Sequence, residues 1–144
     1  MRFMLQVRAD EKTETGAMPS AELVAAMGRF NQEMVDAGIM RAADGLHPSS
    51  KGARISFAGG TPKVVEPPFA APNELIAGFW MIDVKSREAA IDWARRAPFP
   101  DGEIEIRQVY EVTDFPADIL PPDEAAREQA WRDEQQRKTR PPSV

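Results

Sequence analysis

The sequence predicts an α+β fold in which a β-sheet is covered on one face by two amphipathic helices. Apolar and polar residues alternate in several short runs, the first of which contains Phe3, Leu5 and Val7. Between these runs lie two stretches whose apolar residues recur at helical spacing. With 144 residues, 42% of them hydrophobic, the chain is long enough for one domain with a single core.

The first half of the chain starts with this alternating strand. Residues 10–16 are polar, show no periodicity and are predicted to form a loop. A helix should begin after Ser20, whose hydroxyl can accept a hydrogen bond from the first turn, and should end at Gly38. A second strand is predicted over Ile39–Ala43. The apolar stripe of the helix consists of Leu23, Met27, Phe30 and Met34.

The second half of the chain contains the strongest strand pattern. Residues 76–84 are apolar on both faces, which is typical of a central strand covered on both sides. Before it, Glu66-Pro67-Pro68-Phe69 lacks two N–H donors and cannot lie inside a sheet. The other predicted elements are a hairpin of residues 54–57 and 63–65 that turns at Gly59-Gly60, a helix capped by Ser86 with Ala90, Trp93, Ala94 and Ala97 on its inner face, and a strand with Ile104, Ile106 and Gln108.

The order of the elements, without the hairpin, is βαββαβ, which is the ferredoxin-like arrangement. Two helices then cover one sheet face, and we expect the sheet of a second copy to cover the other, giving a homodimer. Residues 1–115 are assigned to this domain and residues 116–144 to a C-terminal extension. Residues 123–140 carry five acidic and five basic side chains and one large apolar residue, Trp131. A helix is predicted over 123–138, either packed on another surface such as a partner subunit or fraying, because an isolated helix is marginal in water.

The composition excludes several classes of function. The chain has no cysteine and therefore no disulfide or thiolate site. With one histidine and no glycine-rich phosphate loop, neither a metal site nor a cofactor is predicted. The net charge of −5 argues against binding to nucleic acid. No apolar run approaches the ~20 residues needed to cross a bilayer, so we expect a cytoplasmic protein without membrane contact.

The loop Gly45–Gly52 contains the only histidine of the chain, His47. An imidazole suits proton transfer near neutral pH, and loops on a rigid scaffold often carry catalytic groups. Asp44 can orient the imidazole. The simpler interpretation is a surface histidine, with Asp44 bonded to its own backbone in a turn. Ser49 and His47 form no recognised nucleophile arrangement, so Ser49 is assigned to substrate binding.

Two arginines and two aromatic residues are also assigned to substrate binding. Arg54 and Arg107 project from predicted strands and can clamp a carboxylate or phosphate, although an ion pair with a neighbouring glutamate is the simpler role. Trp80 is most simply a core residue, but with Phe69 it can line a cleft between the sheet and the histidine loop. Glu22, at the start of the first helix, is either a surface carboxylate near the positive helix end or a third catalytic group.

Six motifs along the chain carry a family resemblance: Met18-Pro19-Ser20-Ala21-Glu22-Leu23, Gly45-Leu46-His47-Pro48-Ser49, Pro68-Phe69, Gly78-Phe79-Trp80, Trp93-Ala94 and Glu105-Ile106-Arg107. In these motifs the sequence resembles the YciI-like, or YCII-related, family and specifically its DGPF-motif branch. The resemblance spans roughly residues 1–115. It implies a ferredoxin-like subunit that dimerises into a body of the dimeric α/β barrel type, with a cleft near the sheet.

The sequence departs from the family pattern at two places. The DGPF signature reads Glu66-Pro67-Pro68-Phe69 here, so proline replaces its glycine and fixes φ near −65°. Relatives nearer the type protein carry a His–Asp dyad for which a catalytic role is proposed. In this chain Glu22 stands at the place of that histidine, and the aspartate falls near Ala97. The chemistry proposed for the dyad therefore does not carry over.

Two hypotheses for the function follow. The first is a small-molecule-binding protein or cofactor-free enzyme with a cleft near His47, acting on a small anionic or aromatic ligand by proton transfer, as in isomerisation or elimination. The second is a non-catalytic regulatory or protein-interaction module. The resemblance implies a transcription-linked setting for it, because DGPF-type proteins are often associated with alternative sigma factors. Whether His47, Arg54 and Glu22 face one concave pocket separates the two hypotheses.

Overall fold

A computed structural model describes residues 1–69 and 72–139 of the chain. Its strands are β1 (Arg2–Arg8), β2 (Met40–Gly45), β3 (Arg54–Ser56), β4 (Lys63–Val65), β5 (Ile76–Asp83) and β6 (Ile104–Gln108). Its helices are α1 (Glu11–Glu14), α2 (Ala21–Asp36), α3 (Arg87–Ala94) and α4 (Pro122–Thr139).

The main sheet has four strands in the order β2-β5-β1-β6, and each neighbouring pair is antiparallel. This order is that of the ferredoxin-like fold, so the predicted fold class is confirmed. The prediction that β5 is a central strand is confirmed as well. Strands β2 and β6 form the two edges of the sheet.

The core lies between this sheet and the helices α2 and α3. Phe3 and Leu5 of β1 and Trp80 and Ile82 of β5 are each at most 4% exposed, and they alternate with half-buried residues along their strands. This alternation defines an inner face, which carries the buried residues, and an outer face, which carries Arg2, Met4, Phe79 and Met81. The helices contribute Phe30, Met34 and Ala90 to the core.

Both longer helices of the domain begin as the sequence predicts, and α2 also ends as predicted. Helix α3 ends at Ala94, so Ala97, which was predicted on its inner face, lies beyond the helix. Ser20 accepts a hydrogen bond from the backbone N–H of Leu23 at 3.1 Å, and Ser86 accepts one from the N–H of Ala89 at 3.1 Å. Gly38 follows α2 with a φ of +71°, a conformation that disfavours residues with a side chain. These residues fix where the two helices start and where α2 stops.

The loop predicted over residues 10–16 is wrong for residues 11–14, which form the short helix α1. The carboxylate of Asp10 accepts from the backbone N–H of Thr13 at 2.8 Å, and the hydroxyl of Thr13 accepts from the N–H of Asp10 at 2.9 Å. This reciprocal capping box stabilises one helical turn without any apolar periodicity. Residues that lack a hydrophobic pattern can therefore still be helical.

Strand β2 and the hairpin differ only in detail from the prediction. Strand β2 begins at Met40 and continues to Gly45, and a bulge at Arg41 shifts its register on β5. Strands β3 and β4 form a separate two-stranded antiparallel sheet, as predicted. Gly59 and Gly60 in its turn have φ values of +79° and +82°. Residues 66–69 lie outside both sheets.

The predicted C-terminal helix is confirmed as α4, which contacts β2 and residues 112–114 of its own chain. A guanidinium nitrogen of Arg132 donates to the backbone oxygen of Tyr110 at 2.9 Å and to the carboxylate of Glu111 at 3.3 Å. Arg2, on the outer face, also donates to Glu111 at 2.8 Å. The network ties α4 to the outer side of the sheet, while Trp131 is 60% exposed. Packing of α4 on a partner subunit stays a prediction.

Candidate functional site

The histidine loop is anchored on the sheet at its start. The backbone N–H of Leu46 donates to the carbonyl of Ala77 at 2.8 Å, which continues the ladder between β2 and β5. The next residue, His47, is exposed. The imidazole therefore leaves a fixed strand end and reaches into solvent.

A second anchor of this loop comes from α1, which the sequence did not predict. The backbone N–H of Ser49 lies 3.2 and 3.3 Å from the two carboxylate oxygens of Glu14, and its hydroxyl donates to the same carboxylate at 2.5 Å. A Cβ placed on Gly16 would lie 3.6 Å from the ring of Pro48, so the loop also runs close to the end of α1. Glu14 is thus a positioning residue that pattern reasoning missed.

Arg54 and Phe69 are brought together, as the predicted site requires. The guanidinium carbon of Arg54 lies 4.1 Å from the centre of the Phe69 ring, in cation–π geometry. Arg54 is exposed and Phe69 is half-buried. Within residues 1–69 and 72–139, neither Arg54 nor Lys51 forms an ion pair with a carboxylate. We call residues 46–54, with His47, Lys51 and Arg54, the basic loop.

The two acidic residues of the predicted site are both exposed. Asp44 lies on the outer face of β2, opposite Phe79 of β5. Glu22 lies in the first turn of α2, where the positive end of the helix favours a carboxylate. In the described part of the chain, no hydrogen bond or ion pair links either carboxylate to His47. The structure therefore does not join them to the imidazole as an acid–base pair.

Trp80 lies in the core rather than beside the basic loop. It is 4% exposed, and its indole N–H donates to the side-chain oxygen of Asn31 in α2 at 2.8 Å. Its ring lies edge-on to those of Phe30 and Phe99, with centroids 5.6 and 6.1 Å away. Each of these contacts is made on the inner face, which is the simpler role that the sequence suggested for this tryptophan.

Arg107 lies at the other edge of the sheet. It is on the outer face of β6, and β6 is separated from β2 by two strands. Its guanidinium lies 3.8 Å from the carboxylate of Glu105, and its side chain is 69% exposed. This is the ion pair with a neighbouring glutamate that was predicted as the simpler role of Arg107. The structure brings Arg107 to Glu105 and not to the basic loop.

Two perturbed side-chain pKa values lie outside the predicted site. Hydrogen bonding to Glu111 raises the pKa of Arg2. Partial burial acts to raise the pKa of Asp83, but hydrogen bonds from the amino group of Met1 and from Arg41 outweigh it and hold the pKa below its usual value. These groups stabilise the end of the sheet beneath α4, and pattern reasoning did not single them out.

Two surface cavities lie between α3 and β6. One has a volume of about 450 Å³ and the other of about 530 Å³, and both are lined by Ile91, Ile104 and Ile106. None of the site residues predicted from the sequence lines either cavity. Pattern reasoning assigned Ile104 and Ile106 to a strand but gave no signal for an open groove beside them.

The strand order, the two helices on one face and the inserted hairpin define a ferredoxin-like α+β domain with a basic loop at the end of an edge strand. The family model of the YCII-related domain matches residues 1–113. The chain belongs to the YCII-related family, as the motifs predicted. Among curated proteins, none matches this sequence.

Two further observations concern the described residues as a group. Within residues 1–69 and 72–139, no three histidine, cysteine or acidic side chains come together as potential metal ligands. In the same ranges, no helix combines the length and the apolar character that a membrane span requires.

Proposed function

We propose that the protein binds a small anionic molecule beside the basic loop, with Arg54 as the group that recognises the anion. The observation that carries the proposal is the stacking of Arg54 on Phe69 at 4.1 Å, without a carboxylate partner in the described ranges. Stacking on one face leaves the N–H donors at the edge of the guanidinium directed outward. Such donors bind a carboxylate or phosphate in a bidentate manner.

The surroundings of Arg54 favour an anion as well. Lys51 and His47 add basic groups within the same short loop, in a protein whose net charge is −5. An anionic ligand is repelled by most of the surface and attracted to this loop. Because Glu14 holds the backbone of Ser49, the loop is ordered before the ligand arrives, which lowers the entropy cost of binding. The hydroxyl of Ser49 donates to Glu14, so it can only accept from a donor group elsewhere on the ligand, such as a hydroxyl, and does not bind the anionic group itself.

The ring of Phe69 supports an aromatic group in the same ligand. It is half-buried, and one of its faces is covered by Arg54. An aromatic ring of the ligand can pack against the part of the Phe69 ring that Arg54 leaves uncovered, while the acidic group of the ligand reaches Arg54. In the enzymatic form of this proposal, His47 transfers a proton on the bound ligand, with Asp44 or Glu22 as the assisting carboxylate. Isomerisation or elimination is the corresponding chemistry.

The experiment is an NMR titration of isotope-labelled protein with phenyl phosphate, benzoate and inorganic phosphate. We expect shifts confined to the basic loop and Phe69, and a change in the titration of the His47 imidazole. Arg54→Gln should weaken binding roughly tenfold or more, because it removes charge-assisted hydrogen bonds. Arg29→Gln, an exposed arginine on α2, is the matched control and should bind as the parent protein does.

Two results would contradict this proposal. The first is the absence of shifts in the basic loop with all three probes at millimolar concentration. The second is an equal loss of affinity in Arg54→Gln and Arg29→Gln, which would indicate a general charge effect. If the probes bind but leave the His47 titration unchanged, the enzymatic form fails and simple binding remains.

A second candidate function, a protein-interaction module, is favoured by the apolar hairpin of β3 and β4. Ile55, Phe57 and Val64 are 50%, 71% and 63% exposed. A two-stranded sheet has little stability by itself, so apolar side chains exposed on it favour a covering partner. Titration with a purified alternative sigma factor tests this candidate. Shifts of the Ile55 and Val64 methyl signals would support it, and an unchanged spectrum would contradict it.

Assignment to the DGPF branch, a cytoplasmic location and a homodimer belong to the same proposal. The half-buried outer-face residues Met4, Phe79 and Met81 support the homodimer, since apolar side chains at a sheet surface favour a second layer. Light scattering tests it. A mass of 16.0 kDa, that of one chain, at micromolar concentration would contradict it.

A further inference from the structure

The edge strand β6 carries backbone groups that no neighbouring strand pairs. The N–H of Arg8 donates to the carbonyl of Glu103 at 3.0 Å, and the N–H of Val109 donates to the carbonyl of Arg2 at 2.9 Å. In an antiparallel pair these bonds involve every second residue, so residues 103, 105, 107 and 109 face β1. The N–H and C=O groups of residues 104, 106 and 108 therefore point away from the sheet.

An apolar groove runs along the inner side of the same strand. The two cavities between α3 and β6, of about 450 and 530 Å³, share Ile91, Ile104 and Ile106 as lining residues and are therefore adjoining parts of one groove. Ile104 and Ile106 are half-buried and occupy successive positions of the inner face, which lie roughly 7 Å apart in a strand. The groove thus repeats its apolar wall at the spacing of alternate side chains in an extended chain.

The unpaired charges beside this groove are negative. Arg87 and Arg95, on the α3 wall, each lie near an acidic residue of their own helix, at 3.8 and 3.9 Å. Asp101 and Glu103, where β6 begins, are exposed and line the groove. Neither of these two carboxylates forms an ion pair within residues 1–69 and 72–139. This end of the groove therefore attracts a basic group.

We propose that the β6 edge and its groove bind an extended segment of a partner protein. The segment has apolar side chains at every second position and a lysine or arginine at the end that lies beside Glu103. It adds an antiparallel strand to the sheet, a mode of recognition in which main-chain hydrogen bonds supply affinity and pockets for alternate side chains supply specificity. An unpaired sheet edge is a ready template for such a strand.

The antiparallel direction fixes which residues of the segment meet which residues of β6. The residues opposite Ile104, Ile106 and Gln108 each exchange two hydrogen bonds with the strand. Their side chains lie on the inner face, where those beside Ile104 and Ile106 enter the groove and remove apolar area from water. The next residue, opposite Glu103, lies on the outer face, where a positive charge forms a favourable cross-strand pair with the glutamate.

A basic segment suits this edge better than a second copy of the chain does. The net charge of −5 attracts a basic segment and repels a molecule of the same charge. The homodimer proposed above uses Met4, Phe79 and Met81 of the outer face, so the edge of β6 stays open in it. The inference is independent of the anion site, because the basic loop follows β2 at the opposite edge of the sheet.

The experiment is an NMR titration of the isotope-labelled protein with the peptide Thr-Ser-Val-Thr-Val-Lys-Lys, blocked at both ends. Its two valines are placed opposite Ile106 and Ile104, and its first lysine opposite Glu103. We expect shifts in β6 and α3. The amides of residues 104, 106 and 108 should exchange rapidly in the free protein and become protected when the peptide binds.

N-methylation of the peptide tests the backbone pairing directly. A methyl group on the nitrogen of the first valine removes the hydrogen bond to Ile106 and lies against the edge, so the dissociation constant should rise roughly tenfold or more. The N–H of the threonine between the two valines points away from β6. Methylation of that nitrogen is the matched control and should leave the affinity unchanged.

Two protein variants test the charge pair. Glu103→Gln removes the negative charge but keeps the backbone carbonyl that accepts from Arg8, and it should weaken binding roughly two- to fivefold. Glu11→Gln changes an exposed acidic residue of α1 and is the control, which should bind the peptide as the parent protein does.

The outcomes that would overturn the inference are distinct. The absence of shifts in β6 at millimolar peptide, or equal weakening by the two N-methyl groups, would exclude strand addition. Protection of the amides of residues 104, 106 and 108 in the free protein would mean that a second copy or another part of the chain already covers the edge. Shifts confined to Ile55 and Val64 would assign the peptide to the hairpin instead.

Discussion

Replacing Asn31 with alanine should destabilise the protein by about 2 kcal/mol. The indole N–H of Trp80 donates to Asn31 at 2.8 Å, and Trp80 is 4% exposed, so water cannot replace the lost acceptor. A buried donor left without a partner costs about 1–3 kcal/mol. Truncation of the half-buried asparagine removes few apolar atoms and adds little to this cost. The expected effect therefore comes from the orphaned N–H group.

A double-mutant cycle isolates this contribution. In the variant Trp80→Phe the N–H donor is absent, so Asn31→Ala leaves nothing unsatisfied. Its cost in that background should be smaller by about 1 kcal/mol or more than in the parent protein. Residues that share a hydrogen bond are coupled in this way, whereas independent sites are additive.

Urea unfolding measured by far-ultraviolet circular dichroism is the suitable assay. The urea midpoint is converted into a free energy of unfolding with a denaturant slope that is the same for parent and variant. For a chain of this size the loss corresponds to a fall in melting temperature of roughly 6 °C. A cost below about 0.5 kcal/mol for Asn31→Ala, or a fully additive cycle, would refute the reasoning. Either result would mean that the indole reaches solvent, and Trp80 would then be available as a ligand-lining residue.

Three further predictions concern groups held by charge. Asp83→Asn should cost up to about 1 kcal/mol near neutral pH, since the lowered pKa of Asp83 stabilises the folded state only where the carboxylate is ionised. In urea unfolding at decreasing pH, the difference should begin to shrink near the usual aspartate pKa and should vanish only below the lowered pKa of the folded state. Glu14→Ala should raise the hydrogen-exchange rate of the Ser49 amide at least about tenfold, while Glu11→Ala should not. Arg132→Met should increase the hydrogen-exchange rates of the amides throughout α4, while the melting temperature of the domain stays nearly unchanged. Unfolding of α4 and the domain in one joint step would contradict this prediction.

Periodicity predicted most of this fold because the core is built from regular alternation. Phe3 and Leu5 are buried at every second position of β1, and the double-sided apolar pattern of residues 76–84 marks the central strand β5. The caps at Ser20 and Ser86 follow from the chemistry of a single side chain. Local signals of this kind need no knowledge of distant contacts.

Helix α1 and the position of α4 escaped prediction for a common reason. Both are stabilised by polar contacts, between Asp10 and Thr13 in α1 and between Arg132 and Glu111 at α4. Hydrophobic patterns do not report such contacts. The only large apolar residue of α4, Trp131, is exposed and does not anchor the helix on the described domain.

The contacts within the candidate site also could not be predicted from hydrophobic patterns. Arg54 and Phe69 were both predicted, but their contact depends on how the hairpin of β3 and β4 folds back, which the sequence does not express. Glu14 was missed because its bond to Ser49 joins residues 35 positions apart. The alternation of residues along β5 places Trp80 on the inner face of the sheet, and the same alternation makes it a core residue.

The ionic attachment of α4 has a consequence for how the protein responds to its medium. Ion pairs weaken as salt screens them, and the Debye length falls from about 10 Å at 0.1 M to about 3 Å at 1 M, whereas apolar packing is not weakened in this way. Arg132 and Glu111 are partly buried and so respond gradually. Rising ionic strength therefore weakens the attachment of α4 more than it weakens the packing of the domain beneath it. The outer face is the part of this protein whose cover depends on the ionic strength of the medium.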